Sequence, residues 1–234
     1  MPPPSEHTLK QFDADLEAIR SKVLQMGGLV ELQIRNSIRG LTTGDVDVEE
    51  EVIQTDRQVN TFEVEIDDAC AQIIARRQPA AGDLRSVMSI SKTVTDLERM
   101  GDEAKKIARI AKQISARGQL QVPRLADVTH AADAAIDLLR RALDAYARLD
   151  SHAAQQLIRD DAVIDTEFRA ILRQLITYMM EDPRTIGSAM DIIWIAKAIE
   201  RIGDHSKNIA EQVVFIVEGT DIRHTTHSRA QSGA

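Results

Sequence analysis

Two segments of the chain, LERMGDEAKKIAR (97–109) and IERIGDHSKNIAE (199–211), are near copies of one another. Each places two acids four residues apart, Glu98 and Asp102 in the first, Glu200 and Asp204 in the second, with a glycine between them. On a helix that spacing puts like charges side by side, at a cost of a few tenths of a kcal/mol. Glycine adds about 1 kcal/mol against alanine in a helix interior. Carboxylates held close together have three ways out: protonation, neutralisation by a basic side chain, or a bound cation.

A second acidic pair accompanies each copy. DRQVN (56–60) supplies Asp56 and Asn60, and DAVID (161–165) supplies Asp161 and Asp165. If each motif forms a hairpin of antiparallel helices with its upstream pair, residues equidistant from the turn meet, since both helices rise about 1.5 Å per residue. The centres of Glu98/Asp102 and Asp56/Asn60 are equidistant from Pro79. Those of Glu200/Asp204 and Asp161/Asp165 are equidistant from the Asp182–Pro183 bond. The spacing therefore predicts four polar groups at one level of each hairpin. An oxygen-only ligand set suits hard cations such as Mg²⁺, Mn²⁺, Ca²⁺ or oxidised iron.

The competing reading is a solvated ionic face, with Lys105, Lys106 and Lys207 one turn on as partners. Arg99 and Arg201 are alternative neutralisers. Asn60 removes one charge from the first set, although Glu63 and Asp67 continue its face. His205 reads as a surface histidine, a nitrogen ligand being the alternative. His7, His130, His152, His224 and His227 show no ligand spacing.

The positioning elements follow from the apolar period. Leu9, Phe12, Leu16, Ile19, Val23, Met26, Val30, Ile34, Ile38 and Leu41 form one helical stripe, which Gly27-Gly28 could bend. TTGD (42–45) ends it. A second helix is expected from Val46 to Arg77, and a third opens with Asp83 as N-cap and closes at Gly118. The third carries Ile90, Val94, Leu97, Gly101, Ala104, Ala108 and Ala111 inward. After Pro123 the pattern restarts. A fourth helix carries Ala132, Ile136, Leu139, Leu143 and Tyr146, and a fifth runs from Ser151 to Met180. A sixth carries Ile192, Ala196, Ile199, Gly203, Ser206, Ala210 and Val213. In the fifth, Asp161, Asp165, Phe168, Leu172, Leu175 and Met179 form one inward row. Residues 75–110 match the second half at a constant offset of 102. The fold class is all-α: two tandem antiparallel three-helix bundles, 5–118 and 123–219, with a disordered tail at 220–234.

Composition narrows the chemistry. Of 234 residues 43% are hydrophobic, 28% charged and 3% aromatic, which suits a helical globular protein. The net charge of −8 gives a nucleic-acid partner no support. The single cysteine, Cys70, reads as a small buried hydrophobe in a reducing compartment. The first residues lack the layout of a signal peptide, and no apolar run is long enough to span a bilayer, so membrane association would be peripheral. No HExxH, Walker loop, GxSxG or paired ExxH motif occurs, and no nucleophile–base pair stands out. An enzyme is not expected. A metal-dependent phosphohydrolase is the weakest alternative, because its base and nucleotide-binding features are missing.

The segments DRQVNTFEVEIDDAC (56–70), ARRQPAAGDLR (75–85), LERMGDEAKKIA (97–108), YMMEDPRTI (178–186) and IERIGDHSKNIAE (199–211) resemble the PhoU family. These are accessory regulators of bacterial high-affinity phosphate transport. The resemblance runs from about Leu9 to Gly219. It implies two repeated three-helix bundles whose acidic clusters bind iron, zinc, manganese or magnesium. The implied ligands are Asp161, Asp165, Glu200 and Asp204 in the second repeat, and Asp56, Asn60, Glu98 and Asp102 in the first. It also implies a cytoplasmic, commonly homodimeric adaptor between the phosphate ABC transporter, through its ATPase subunit, and a sensor histidine kinase. Such an adaptor restrains uptake and the phosphate-starvation response when phosphate is abundant. A metal-free helical scaffold with the acids in salt bridges is the alternative.

Overall fold

The computed structural model describes the backbone of residues 6–118, 124–160 and 162–222, and the side chains of the same stretches except 6–10, 162 and 163. Among the described residues all regular structure is helical. The helices are α1 (Glu6–Thr43), α2 (Val46–Arg77), α3 (Ala81–Ala116), α4 (Leu125–Arg148), α5 (Ser151–Asp160), α6 (Ala162–Glu181) and α7 (Ile186–Glu218). A single 3₁₀ turn, Pro183–Thr185, joins α6 to α7. The expected fifth helix corresponds to α5 and α6 on either side of position 161. That position lies outside the described residues, as do 223–234, most of the expected tail.

The turns are closed by local chemistry. Asp45 caps α2 by accepting bonds from the backbone N–H groups of Asp47 and Val48. Asp182 accepts from the Arg184 N–H at 3.0 Å and so starts the turn before α7. Asp83 is not the N-cap of α3. That place falls to Ala80, and Asp83 sits within the first turn, where a carboxylate still favours the positive end of the helix dipole. Gly27-Gly28 leaves α1 continuous. At Gly27 a Cβ would lie 2.6 Å from Leu143, so this glycine serves the seating of α4 on α1.

The apolar stripes of α3 and α7 are buried throughout, and those of α1 from Phe12 on and of α4 are buried except for Leu16 and Leu143, which are partly buried. In α6 the row is rotated by one position: Ile164, Ile171 and Leu175 are buried, whereas Asp165, Phe168 and Leu172 lie at the edge. The rotation keeps a carboxylate partly hydrated. Cys70 is buried, and burial pushes its thiol up to about 11.

The first three helices pack on one another, α4 to α6 pack around α7, and among the described residues the most extensive helix contact is between α3 and α7. This seam is antiparallel. Lys92 lies over Phe215, Asp96 meets His205, Glu103 meets Arg201, Lys106 lies over Trp194 and Arg117 meets Asp191. Rising numbers on α3 meet falling numbers on α7. Each repeat's last helix thus covers the other repeat.

Glu49 marks a conditional weakness at the open end of the first bundle. It is fully buried beside Gly40, accepts a 3.4 Å bond from Ser115, and its Oε2 has no partner. Burial raises its pKa, opposed by the Ser115 bond and Lys112 and reinforced by Asp45. A carboxyl with a raised folded pKa binds its proton more tightly in the native state, so stability falls as pH rises through that window. Glu49→Gln is expected to be about 1 kcal/mol more stable than wild type near pH 7. The difference should vanish below the ordinary carboxylate range. Denaturant melts of both proteins at about pH 7 and about pH 3.5 check this.

Candidate metal centre

Asp165 near the start of α6 and Glu200 and Asp204 on α7 bring carboxylate oxygens within 4.8 Å of one another. Among the described residues this is the one group of three potential metal-ligating side chains. Glu200 accepts from Lys197 through both carboxylate oxygens, at 2.6 and 2.5 Å, and Arg169 stands 3.9 Å from Asp165. Asp161 lies outside the described residues. The donor chemistry fits a hard cation: oxygen only, on two helices, at an edge that is neither dry nor fully exposed. Asp165, Glu200 and Asp204 would hold it.

The first repeat brings its acids to one level but fills the space differently. The Lys105 ammonium donates to Asp56 and to Asp102, each at 2.6 Å. Asp56 is buried, Lys105 is largely buried, and Asn60 is exposed. Burial disfavours the Lys105 charge, yet the bonds to Asp102 and Asp56 raise its pKa overall. Glu98 is pushed up, first by burial and then by Asp102, Glu63 and Asp56, with Lys105 opposing. Glu63 is raised by burial, then by Asp67 and Asp102. Asp67 accepts a 2.7 Å bond from Ser91. The residues present do not fit a metal here, because an ammonium already stands between the two aspartates.

The motif glycines serve helix packing. A Cβ at Gly101 would lie 3.2 Å from Gln33 and 3.3 Å from Val59, and one at Gly203 would lie 2.8 Å from Ile164. Val59 and Ile164 are the buried neighbours of the upstream acidic pairs. Glycine is what lets α3 sit close to α2 and α7 close to α6.

The arginines and His205 behave differently from their sequence reading. Arg201 forms an ion pair with buried Glu103 across the seam, leaving its own motif's acids; Lys106 stands 3.5 Å from the same carboxylate. Arg99 is exposed. His205 is not a surface histidine. It is buried, with Nδ1 2.8 Å from Asp96, which also accepts from Asn208 at 3.0 Å. Asp96 and Glu103 were not singled out by motif or period. The available signal was the repeat itself: at the offset of 102, Asp96 corresponds to Ala198 and Glu103 to His205. Departures from the repeat mark the seam.

The PhoU domain pattern matches residues 23–111 and 128–213, one copy on each three-helix unit. The chain belongs to the PhoU family. Curated PhoU relatives span nearly the whole chain. A protein of Pseudomonas putida named phosphate-specific transport system accessory protein PhoU homolog is 48% identical over 94% of this chain and 86% of its own length. The Escherichia coli K12 phosphate-specific transport system accessory protein PhoU is 46% identical over 94% and 90%. Among solved structures, Pseudomonas aeruginosa PhoU superposes with a TM-score of 0.86 at 47% identity, over 89% of this chain and all of the other. The Streptococcus pneumoniae phosphate transport system regulatory protein PhoU gives 0.83 at 27% identity, over 90% and 99%. No described helix is long and apolar enough to cross a membrane.

Proposed function

We propose that the chain is an accessory protein of a phosphate-specific transport system. In this reading it restrains high-affinity uptake and the phosphate-starvation response when phosphate is abundant. It does so without catalysis, as a cytoplasmic, homodimeric adaptor between the ATPase subunit of the phosphate ABC transporter and a sensor histidine kinase. The observation that carries the reading is identity of 46–48%, over 94% of the chain, with proteins named as accessory proteins of phosphate-specific transport systems. Long, mutually covering helices give a rigid platform, which suits an adaptor.

Asp165, Glu200 and Asp204, with Asp161 from the family resemblance, hold a hard metal ion in this reading. Iron, manganese and magnesium accord best with an all-oxygen set, and zinc less well. Disrupting the gene should switch on phosphate-starvation genes in phosphate-replete medium. An unchanged response would refute the regulatory role. Glu200→Ala combined with Asp204→Ala should lose co-purifying metal while retaining the helical circular dichroism of the wild type.

A further inference from the structure

We infer that Lys105 is the resident cation of the first repeat's acidic motif, an internal ionic lock that keeps metal out of that repeat. The lock is visible atom by atom. One ammonium bridges Asp56 on α2 and Asp102 on α3, with both bonds at 2.6 Å and only 17% of the lysine side chain exposed. It joins the two helices whose close approach Gly101 permits. A divalent ion entering between these carboxylates would have to expel a largely buried lysine into water and give up two charge-assisted bonds.

Lys207 stands at the equivalent place in the second repeat and has contacts of its own. The repeats differ at one position of the upstream pair. Asp165 converges with Glu200 and Asp204, whereas its counterpart Asn60 is exposed and uncharged. In the first repeat one ammonium is bonded to both aspartates, with Glu98 and Glu63 beside them. The inference rests on the proposed second-repeat site only for the total stoichiometry: one ion per chain rather than two.

The test is calorimetric titration of the full-length, chelator-treated chain with Mn²⁺, on wild type, Lys105→Met and Asp165→Asn/Glu200→Gln. Wild type should take up one equivalent, lost in the Asp165→Asn/Glu200→Gln chain. Lys105→Met should gain one equivalent over wild type, and Mn²⁺ should raise its melting temperature further than it raises that of wild type. A folded Lys105→Met chain that gains nothing overturns the lock. So does a wild type with two sites, one of them removed by Asp102→Asn. A wild type that binds no Mn²⁺ sinks the metal reading of the second repeat, while a gain in Lys105→Met still upholds the lock. Should Lys105→Met not fold, nitrogen NMR of the wild-type lysine ammonium groups decides: a protected Lys105 signal unmoved by Mg²⁺ is expected, and its release by Mg²⁺ overturns the inference.

Discussion

The Asp96→Ala chain will melt about 6–12 °C below wild type, a loss of about 3 kcal/mol. Asp96 is buried on α3 and is the shared acceptor for His205 and Asn208 on α7. Removing it strands a buried imidazole and a partly buried amide at the seam between the repeats. Hydrogen bonds to charged groups contribute about 1.5–3 kcal/mol each, and the partners left unmade carry their own desolvation cost. A double-mutant cycle with His205→Ala isolates the pair. The two changes together should cost clearly less than the sum of the separate losses, because each alone already breaks the same contact. Additive losses, or an Asp96→Ala chain as stable as wild type, would show that the Asp96–His205 contact does not help hold α3 to α7.

Gly203→Leu is expected to destabilise by about 2 kcal/mol, lowering the melting temperature by about 4–8 °C. Two opposing terms set the figure. Leucine in place of a helical glycine gains about 1 kcal/mol in propensity. Against this stands Ile164, whose Cδ1 would be 2.8 Å from even a bare Cβ, and forcing extra carbons into such a contact costs about 3 kcal/mol. Shortening the neighbour by Ile164→Ala in the same chain should recover part of the loss. Wild-type stability in the single variant would mean that Ile164 moves aside freely. The glycine would then need another explanation.

These two sites show which parts of the molecule were legible in the sequence. Helix positions and inward stripes could be read because burial selects side chains at a fixed period, and α3 and α7 obey it at every expected core residue. The level of the acidic motifs could be read because helical rise is constant, so distance from the turn is position in space. Rotation about the helix axis was less legible. Asp165 sits one place outside the buried row, since a carboxylate's preference for water shifts the face by an amount that periodicity does not resolve. Contacts between repeats could not be read from within either one. His205 looked like a surface histidine because its neighbours on α7 are polar, and its partner Asp96 is 109 residues away. Lys105 was visible as a partner for Asp102 one turn back, but its reach to Asp56 depends on how closely α2 and α3 approach.

The antiparallel seam also bears on how such a chain arises. A half-length ancestor with a single repeat would have left the face of its third helix bare. Pairing with an identical copy about a twofold axis, third helix against third helix, would have covered it. Duplication and fusion of such a gene would make that contact permanent and free its two sides to differ. His205 now stands where the sister repeat has Glu103, and Ala198 where it has Asp96. An interface of that origin would no longer have to suit itself, and the seam here joins two unlike faces.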